Sequence, residues 1–356
     1  MIALSVGAAN TFTGDRAPAK MLVATVDGIV ALERTPGSAW RIGERVLAGK
    51  HVSSIVIEPE HGLVYAGVYK GGVYVSEDGG ATWSERNDGL GEGHVYCLAS
   101  AKEGAALYCG TEPAALFRSE DRGRSWRAMP QIRDVPSTAI WNFPAPPFAA
   151  HVKNIAIDAK RDRMFVGVEQ GALLRSDDGG ATFRDLHGFF NDIHRIAIDP
   201  SNSDVVLITT GAGVYRSTDA GERWTRTTTN DTGIGYPDAL IIDPRDPQRI
   251  FIAGSHATPG TWRKTHTANA RVLRSRNGGV DWEIVRNGLP PHVRGNIETM
   301  SLAVSGAGAE LFAGTTEGDV FASSDDGDHW TRIAGELPAI SKFGHHLALT
   351  LPVGGR

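Results

Sequence analysis

The chain has 356 residues, 41% of them apolar and 22% charged, which fits a folded globular protein and excludes a disordered one. No apolar run approaches the roughly 18 residues of a membrane-spanning helix, and a net charge of −5 argues against a nucleic-acid binder with a broad basic face. Two cysteines exclude a disulfide framework, while 43 glycines and eight tryptophans point to many tight turns in an all-β fold.

Residues 1–20 begin with a short apolar stretch and no basic segment before it. They are read as an N-terminal extension without a secretory signal, so a cytoplasmic location is expected, or a mature form already trimmed. Strands are expected at 21–26, 28–34 and 39–45, with the turn Glu33-Arg-Thr35-Pro-Gly37-Ser-Ala-Trp40 among them. After this worn copy the pattern sharpens into Ser76-Glu-Asp78-Gly-Gly80-Ala-Thr82-Trp83. It returns from Ser119 to Trp126, Ser176 to Phe183 and Ser217 to Trp224, and more loosely from Ser275 to Trp282 and Ser323 to Trp330. Counted from Glu33, the spacings are 43, 43, 57, 41, 58 and 48 residues.

Periods of this length mark supersecondary units. A short alternating strand precedes each copy (72–76, 172–176) and another follows it. The Asp carboxylate accepts turn N–H groups, Gly allows positive φ, and the aromatic packs between units. Two earlier strands complete each unit, for example 51–57 and 63–67. The expected fold is therefore an all-β, seven-bladed propeller of four-stranded antiparallel blades, one domain over 21–356. Inner strands are placed at 51–57, 94–100, 151–157, 193–198, 236–242, 296–303 and 345–351. The last has no following strands, so the C-terminal strand is expected to join the N-terminal blade and close the ring, with residues 2–6 competing for that slot. Cys97 and Cys109 fall on neighbouring strands and are read as buried thiols, a cross-strand disulfide being the alternative.

The motif S-x-D-x-G-x-T-W in these copies resembles the Asp-box, or BNR repeat. Over nearly its whole length the chain is similar to Asp-box propellers: sialidases, xyloglucan-active glycoside hydrolases, and the bacterial proteins related to the photosystem II stability and assembly factor, which it resembles most. The resemblance implies that the boxes are structural and that ligands bind on the opposite face, at the mouth of the central channel. Sialidase activity is not carried over. That group uses three channel arginines, a Tyr–Glu pair, an Asp acid and a Phe/Tyr-Arg-Ile-Pro motif. The motif is absent, and only Arg195 lies near the channel.

Two insertions, 129–150 and 255–269, fall on the box-free face, where long loops mark a site more often than they mark drift in length. Ten of the twelve histidines map there too. Aligned on their first core aliphatic residue, the inner strands begin with two layers. The outer layer holds His51, His94, His151, Asp192, Tyr236, Asn296 and Phe343. The deeper one holds Ser53, Tyr96, Lys153, His194, Asp238, Glu298 and His345. Both should ring a funnel, with Glu112, Glu169 and Glu317 leaning in.

Imidazoles converging from several strands suit Zn, Fe, Cu, Ni or Mn, with a carboxylate added. The metal candidates are His51, His94, His151, His194, His345 and His346. On this basis the chain is read as an enzyme at the funnel, a metal-dependent hydrolase, lyase or oxygenase acting on a small polar or sugar-like substrate. The bland alternative is that these histidines cap strand ends. A second reading is metal-free hydrolysis or lysis of a glycan, with acid–base chemistry from His, Tyr236, Glu298 and Asp238 and anion binding by Lys153 or Arg195. Trp141, Phe143, Phe148 and Trp262 would then stack on a sugar, unless they pack on the blade beneath. A third reading is a non-enzymatic scaffold that binds a protein partner. No nucleic-acid or membrane partner is expected.

Overall fold

The computed structural model describes residues 1–91, 93–101, 106–229, 232–306, 308–342 and 344–349. Seven sheets follow one another along the chain, six of four strands and one of five. Blade 2 shows the pattern, with His51–Glu58, Leu63–Tyr69, Gly72–Ser76 and Ser84–Glu85 paired antiparallel in order. Its second strand is buried at every position, because neighbouring blades cover both faces of the sheet, whereas its short outer strand is exposed. Adjacent blades share apolar layers. Phe251 and Val272 of blade 6 pack with Met300, Leu311 and Trp330 of blade 7, and burial of each such large side chain stabilises by about 1.5–3 kcal/mol.

The repeated box is a hairpin turn closed on its Asp. Ser76 Oγ donates to Asp78 Oδ1 at 2.7 Å and accepts from the Gly80 N–H at 2.7 Å, while the N–H and hydroxyl of Thr82 bond the two carboxylate oxygens. Gly80 adopts φ +92°, which its missing side chain permits. Asp121, Asp178, Asp219 and Asp325 repeat the arrangement, and Asn277 substitutes for Asp in the fifth well-formed copy. Trp126 Nε1 donates to the Arg86 carbonyl of the preceding blade at 2.9 Å, so the box aromatic also ties neighbours together. Cys97 and Cys109 are free and buried, and burial pushes the Cys97 thiol up to about 12.

Ring closure differs from the sequence expectation. The innermost strand of blade 1 is Ile2–Leu4, parallel to Lys20–Thr25, not a C-terminal strand. His346–Leu349 form a 3-10 turn instead, and 350–351 lie outside the described residues. Ile2–Leu4 wins the slot because all three side chains are buried there, whereas Leu347 is 42% exposed. The first 20 residues are therefore woven into the ring. After Ile2–Leu4 the chain crosses the channel and returns as Thr11–Thr13, a fifth strand parallel to Ile297–Ser305 of blade 7.

The crossing segment, residues 5–10, plugs the axis. Gly7 bonds Ser53 and Leu98, Ser5 accepts from the Ile55 N–H, and Asn10 reaches Leu240 and Leu302. Arg195 donates to the carbonyls of Ala8 and Val6 at 2.8 and 2.5 Å. Inner strands of five blades thus hold one short stretch of backbone. No helix among the described residues is long and apolar enough to cross a membrane.

A Cβ on Gly7 would lie 2.1 Å from the Tyr96 carbonyl oxygen, with backbone on every side. Gly7→Ala is expected to destabilise by about 1–3 kcal/mol, measured as a lower urea midpoint. An unchanged midpoint would show that the segment is not seated in the channel.

Candidate functional site at the channel mouth

Six inner strands carry a β-bulge at the same height. The pairing register skips one residue between Val52 and Ser54, Val95 and Cys97, Val152 and Asn154, Ile193 and Arg195, Pro237 and Ala239, and Ile297 and Thr299. The skipped residues are Ser53, Tyr96, Lys153, His194, Asp238 and Glu298, the deeper of the two expected layers. A bulge leaves its extra residue unpaired and re-aims the side chain. Blade 1 has no equivalent, since its inner strand is the three-residue N-terminal one.

The second strands supply acids. Glu112 and Glu169 are the last residues of Leu107–Glu112 and Arg163–Glu169, and they pair in register with His94 and His151. Both lean inward. Glu112 accepts the hydroxyls of Tyr69 at 2.6 Å and Tyr96 at 3.2 Å. Glu169 bonds His151 Nε2 at 2.5 Å and meets Lys153 Nζ at 3.1 Å. Glu317, two residues beyond its strand, turns out to Arg294 instead.

The remaining partners come from a segment that the sequence did not mark. After blade 7 the chain returns over the mouth. Lys342 Nζ lies 2.6 Å from Asp238 and 3.3 Å from Glu169, and sits over the Tyr236 ring at 5.4 Å. Glu298 accepts the Lys342 N–H at 2.7 Å, the Ser341 hydroxyl at 3.2 Å and a His345 ring nitrogen at 2.8 Å. His51 Nε2 donates to the Ser341 carbonyl at 3.1 Å. Ala348 and Leu349 pack with Tyr236 and Trp262. A cavity of about 10 Å³, room for a single water, remains beside Lys342, walled by His51, Ser53, Tyr69, Tyr96 and Lys153 over the Val6–Gly7 backbone.

Charge compensation sets the protonation states. Burial works against the ionised forms, yet Lys153 and Lys342 hold Glu169 well below the usual carboxylate range. His345 and Lys342 overcome burial to hold Glu298 at about 2. Asp238 and Glu169 likewise outweigh burial and raise Lys342 well above an ordinary lysine. For Lys153 burial wins over Glu169, and its affinity for a proton falls. His194 donates Nδ1 to the Pro237 carbonyl at 2.7 Å. Burial and Lys342 lower its pKa, but Asp192 and Asp238 outweigh them and raise it.

The expected site residues therefore fall into four groups. His151, His194, Lys153, Tyr236, Asp238 and Glu298 share the buried network, and His51, His94 and His345 flank it. Arg195 belongs to the plug: its guanidinium faces the N-terminal carbonyls, not the mouth. His346 lies over the mouth in the C-terminal turn with a buried Nδ1 that lacks a hydrogen-bond partner. Phe343 lies outside the described residues. His51 and His194 meet carbonyls, and His151 and His345 meet carboxylates. Among the described residues, the groups with ligand atoms close enough to share an ion are Glu169–Asp192–His194 in the funnel and Glu58–Glu60–His61 at a turn far along the chain from it. In the funnel, two ammonium groups already contact Glu169.

The insertions mostly brace the mouth. Trp262, on the short helix Pro259–Thr265, is fully buried against Tyr236 and His345, so it cannot stack on a sugar here. Trp141 bonds Ser137, which is held by Asp185. Phe143 reaches the His151 ring at 5.0 Å, and Phe148 is exposed.

Comparison with known proteins agrees with this architecture. The family model for sortilin-Vps10 (sortilin, neurotensin receptor 3) matches residues 171–291. The xyloglucanase Xgh74A of Acetivibrio thermocellus is 32% identical over 149 residues, covering 34% of this chain and 17% of that enzyme. The chain thus aligns with about a sixth of that relative's length. Among solved structures, an ancestral GH74 enzyme superposes with a TM-score of 0.63 at 17% identity, over 90% of this chain and 41% of that one. YCF48 bound to D1 peptide superposes with a TM-score of 0.56 at 16% identity, over 87% and 90%. Repeat chemistry, blade count and these likenesses define an Asp-box β-propeller, distantly similar in sequence to glycan hydrolases.

Burial lowers the His51 pKa from 6.5 to about 4. Between those values only the unfolded chain takes the proton, so the stability of the neutral seat is complete above pH 6.5 and is lost as pH falls toward 4. Glu298 adds a second loss from 4.5 toward 2. Thermal melts are expected to decline from pH 6.5 to 4, and less steeply in His51→Gln; equal slopes in the two proteins would refute the assignment.

Proposed function

We propose that the funnel is the active site of a carbohydrate-active enzyme that cleaves a glycan by acid–base chemistry, as hydrolase or lyase. The observation that carries this reading is one connected network in which neighbouring groups are driven to opposite proton affinities. Glu298 is held ionised and Lys153, on the cavity wall, gives up its proton more readily than an ordinary lysine, while His194 beside them is raised by Asp192 and Asp238 and keeps its proton more firmly. Separated proton affinities are how one site holds both an acid and a base at neutral pH. His151 adds an imidazole oriented by Glu169 through Nε2, with a buried Nδ1 that has no hydrogen-bond partner. In this reading Lys153 or His151 moves the proton and the Glu298 carboxylate stabilises positive charge at the sugar. Tyr69 and Tyr96 form the aromatic wall. The xyloglucanase similarity supports a polysaccharide substrate.

The test is a panel of xyloglucan, other β-glucans and polyuronides, read by reducing ends and by unsaturated product. Glu298→Gln and Lys153→Met should each lower kcat by about 10²–10⁴-fold on the substrate that is cleaved. Full turnover in both variants, or no cleavage of any glycan, would overturn the reading.

A further inference from the structure

The groups that surround Ser341 and Lys342 belong to the ring, not to the segment. Asp238, Glu169, Glu298, Tyr236 and His51 come from blades 2, 4, 6 and 7, and they treat this dipeptide as a binding site treats a ligand. Two carboxylates and an aromatic face take the ammonium. Glu298 takes the Lys342 N–H, and His51 gives a hydrogen bond to the Ser341 carbonyl. The side chain is read as a cation and the main chain as a peptide, the two-part recognition of an extended segment. Lys342 is only 5% exposed, although its segment pairs with no sheet.

Two further observations concern the surroundings of this seat. The Asn296 Oδ1 atom is fully buried with no hydrogen-bond partner, while its amide nitrogen bonds Asp238 at 2.6 Å. The cavity beside Lys342 also continues along Lys153 and Tyr96. Among the described residues of the blades, the network holds Glu112, Glu169, Asp192, Asp238 and Glu298 against one lysine, Lys153, and the imidazoles of His151 and His194. An ammonium from outside the blades is needed to balance it, and a buried, unpaired carboxylate is costly.

We propose that the mouth is a peptide-binding site specific for a lysine side chain, occupied in cis by the chain's own Ser341–Lys342 and opened to a lysine-bearing segment of a partner protein when that dipeptide is displaced. This goes beyond the glycan reading and does not depend on it, since it concerns what seats at the carboxylates and not what is cleaved.

The experiment uses full-length Lys342→Ala, with Lys342→Met as a second variant that keeps the stem volume. Both should melt lower than the wild type. Millimolar butylammonium should restore the melting temperature of Lys342→Ala, whereas butanol should not. A labelled peptide of sequence 337–349 should bind Lys342→Ala at least tenfold more tightly than the wild type, and tenfold more tightly than the same peptide with norleucine at the lysine. Failure of butylammonium to stabilise, or equal binding of the norleucine peptide, overturns the proposal. Preferential binding of a de-N-acetylated chito-oligosaccharide over the lysine peptide overturns it in favour of an amino sugar. Melting of both variants at the wild-type temperature shows that the carboxylates do not require an ammonium and overturns it as well. The glycan-cleavage panel is run with Lys342 intact and varies Glu298 and Lys153, so the two readings fail separately.

Discussion

One extra residue, inserted at the same height in six inner strands, governs the centre of this protein. A regular strand would send Ser53, Tyr96, Lys153, His194, Asp238 and Glu298 into the spaces between blades, where apolar layers leave no room for charge. The bulge releases each from the ladder and turns it to the axis. Polar side chains from well-separated parts of the chain therefore meet in one small volume, on a frame whose own stability comes from the blade interfaces. Chemistry and packing are kept on different faces of the same strands.

Concentrating carboxylates there has a second consequence. Charges taken out of water are tolerated only when they are paired and hydrogen-bonded. The ring meets this with imidazoles and tyrosines from neighbouring blades, and with ammonium groups from two sources. Lys153 is part of a strand, so its seat is permanent. Lys342 arrives on a segment outside the sheets, so its contribution lasts only as long as the segment stays docked. The carboxylates gathered in the funnel thus make it dependent on whatever lies across its mouth.

Much of this was legible in the sequence, and for identifiable reasons. The box repeats because each hairpin needs Ser, Asp or Asn, and Gly, so six units could be counted directly and a seventh from the worn copy that keeps Gly37 and Trp40. The two layers of the funnel could be aligned because strand side chains alternate with period two. What the alignment lacked was the bulge, which decides that His194 enters the network while Arg195, one residue on, turns to the plug. Glu112 and Glu169 end their strands opposite histidines, whereas Glu317 lies two residues farther and escapes to the surface; a register count finds that difference only once strand ends are known. The C-terminal misreading has a simple origin. His345-His-Leu-Ala-Leu alternates well enough to imitate an inner strand, and Lys342 sits outside any periodic pattern. Ile2–Leu4 gave little warning because a three-residue strand carries almost no periodicity.

The plug ties the earliest part of the chain to its latest. Residues 5–10 find their partners on blades 2, 3, 5, 6 and 7, and Thr11–Thr13 lies along a strand that begins at Ile297. On the ribosome residues 5–10 must therefore wait for the synthesis of blade 7 before their seat is complete. Contacts of such sequence separation form slowly, and the blades already made would present a hollow, polar-lined bore in the meantime. Completion of the ring and threading of its axis become a single late event, so a ribosome that stalls before blade 7 leaves an arc with an open core and not a smaller propeller.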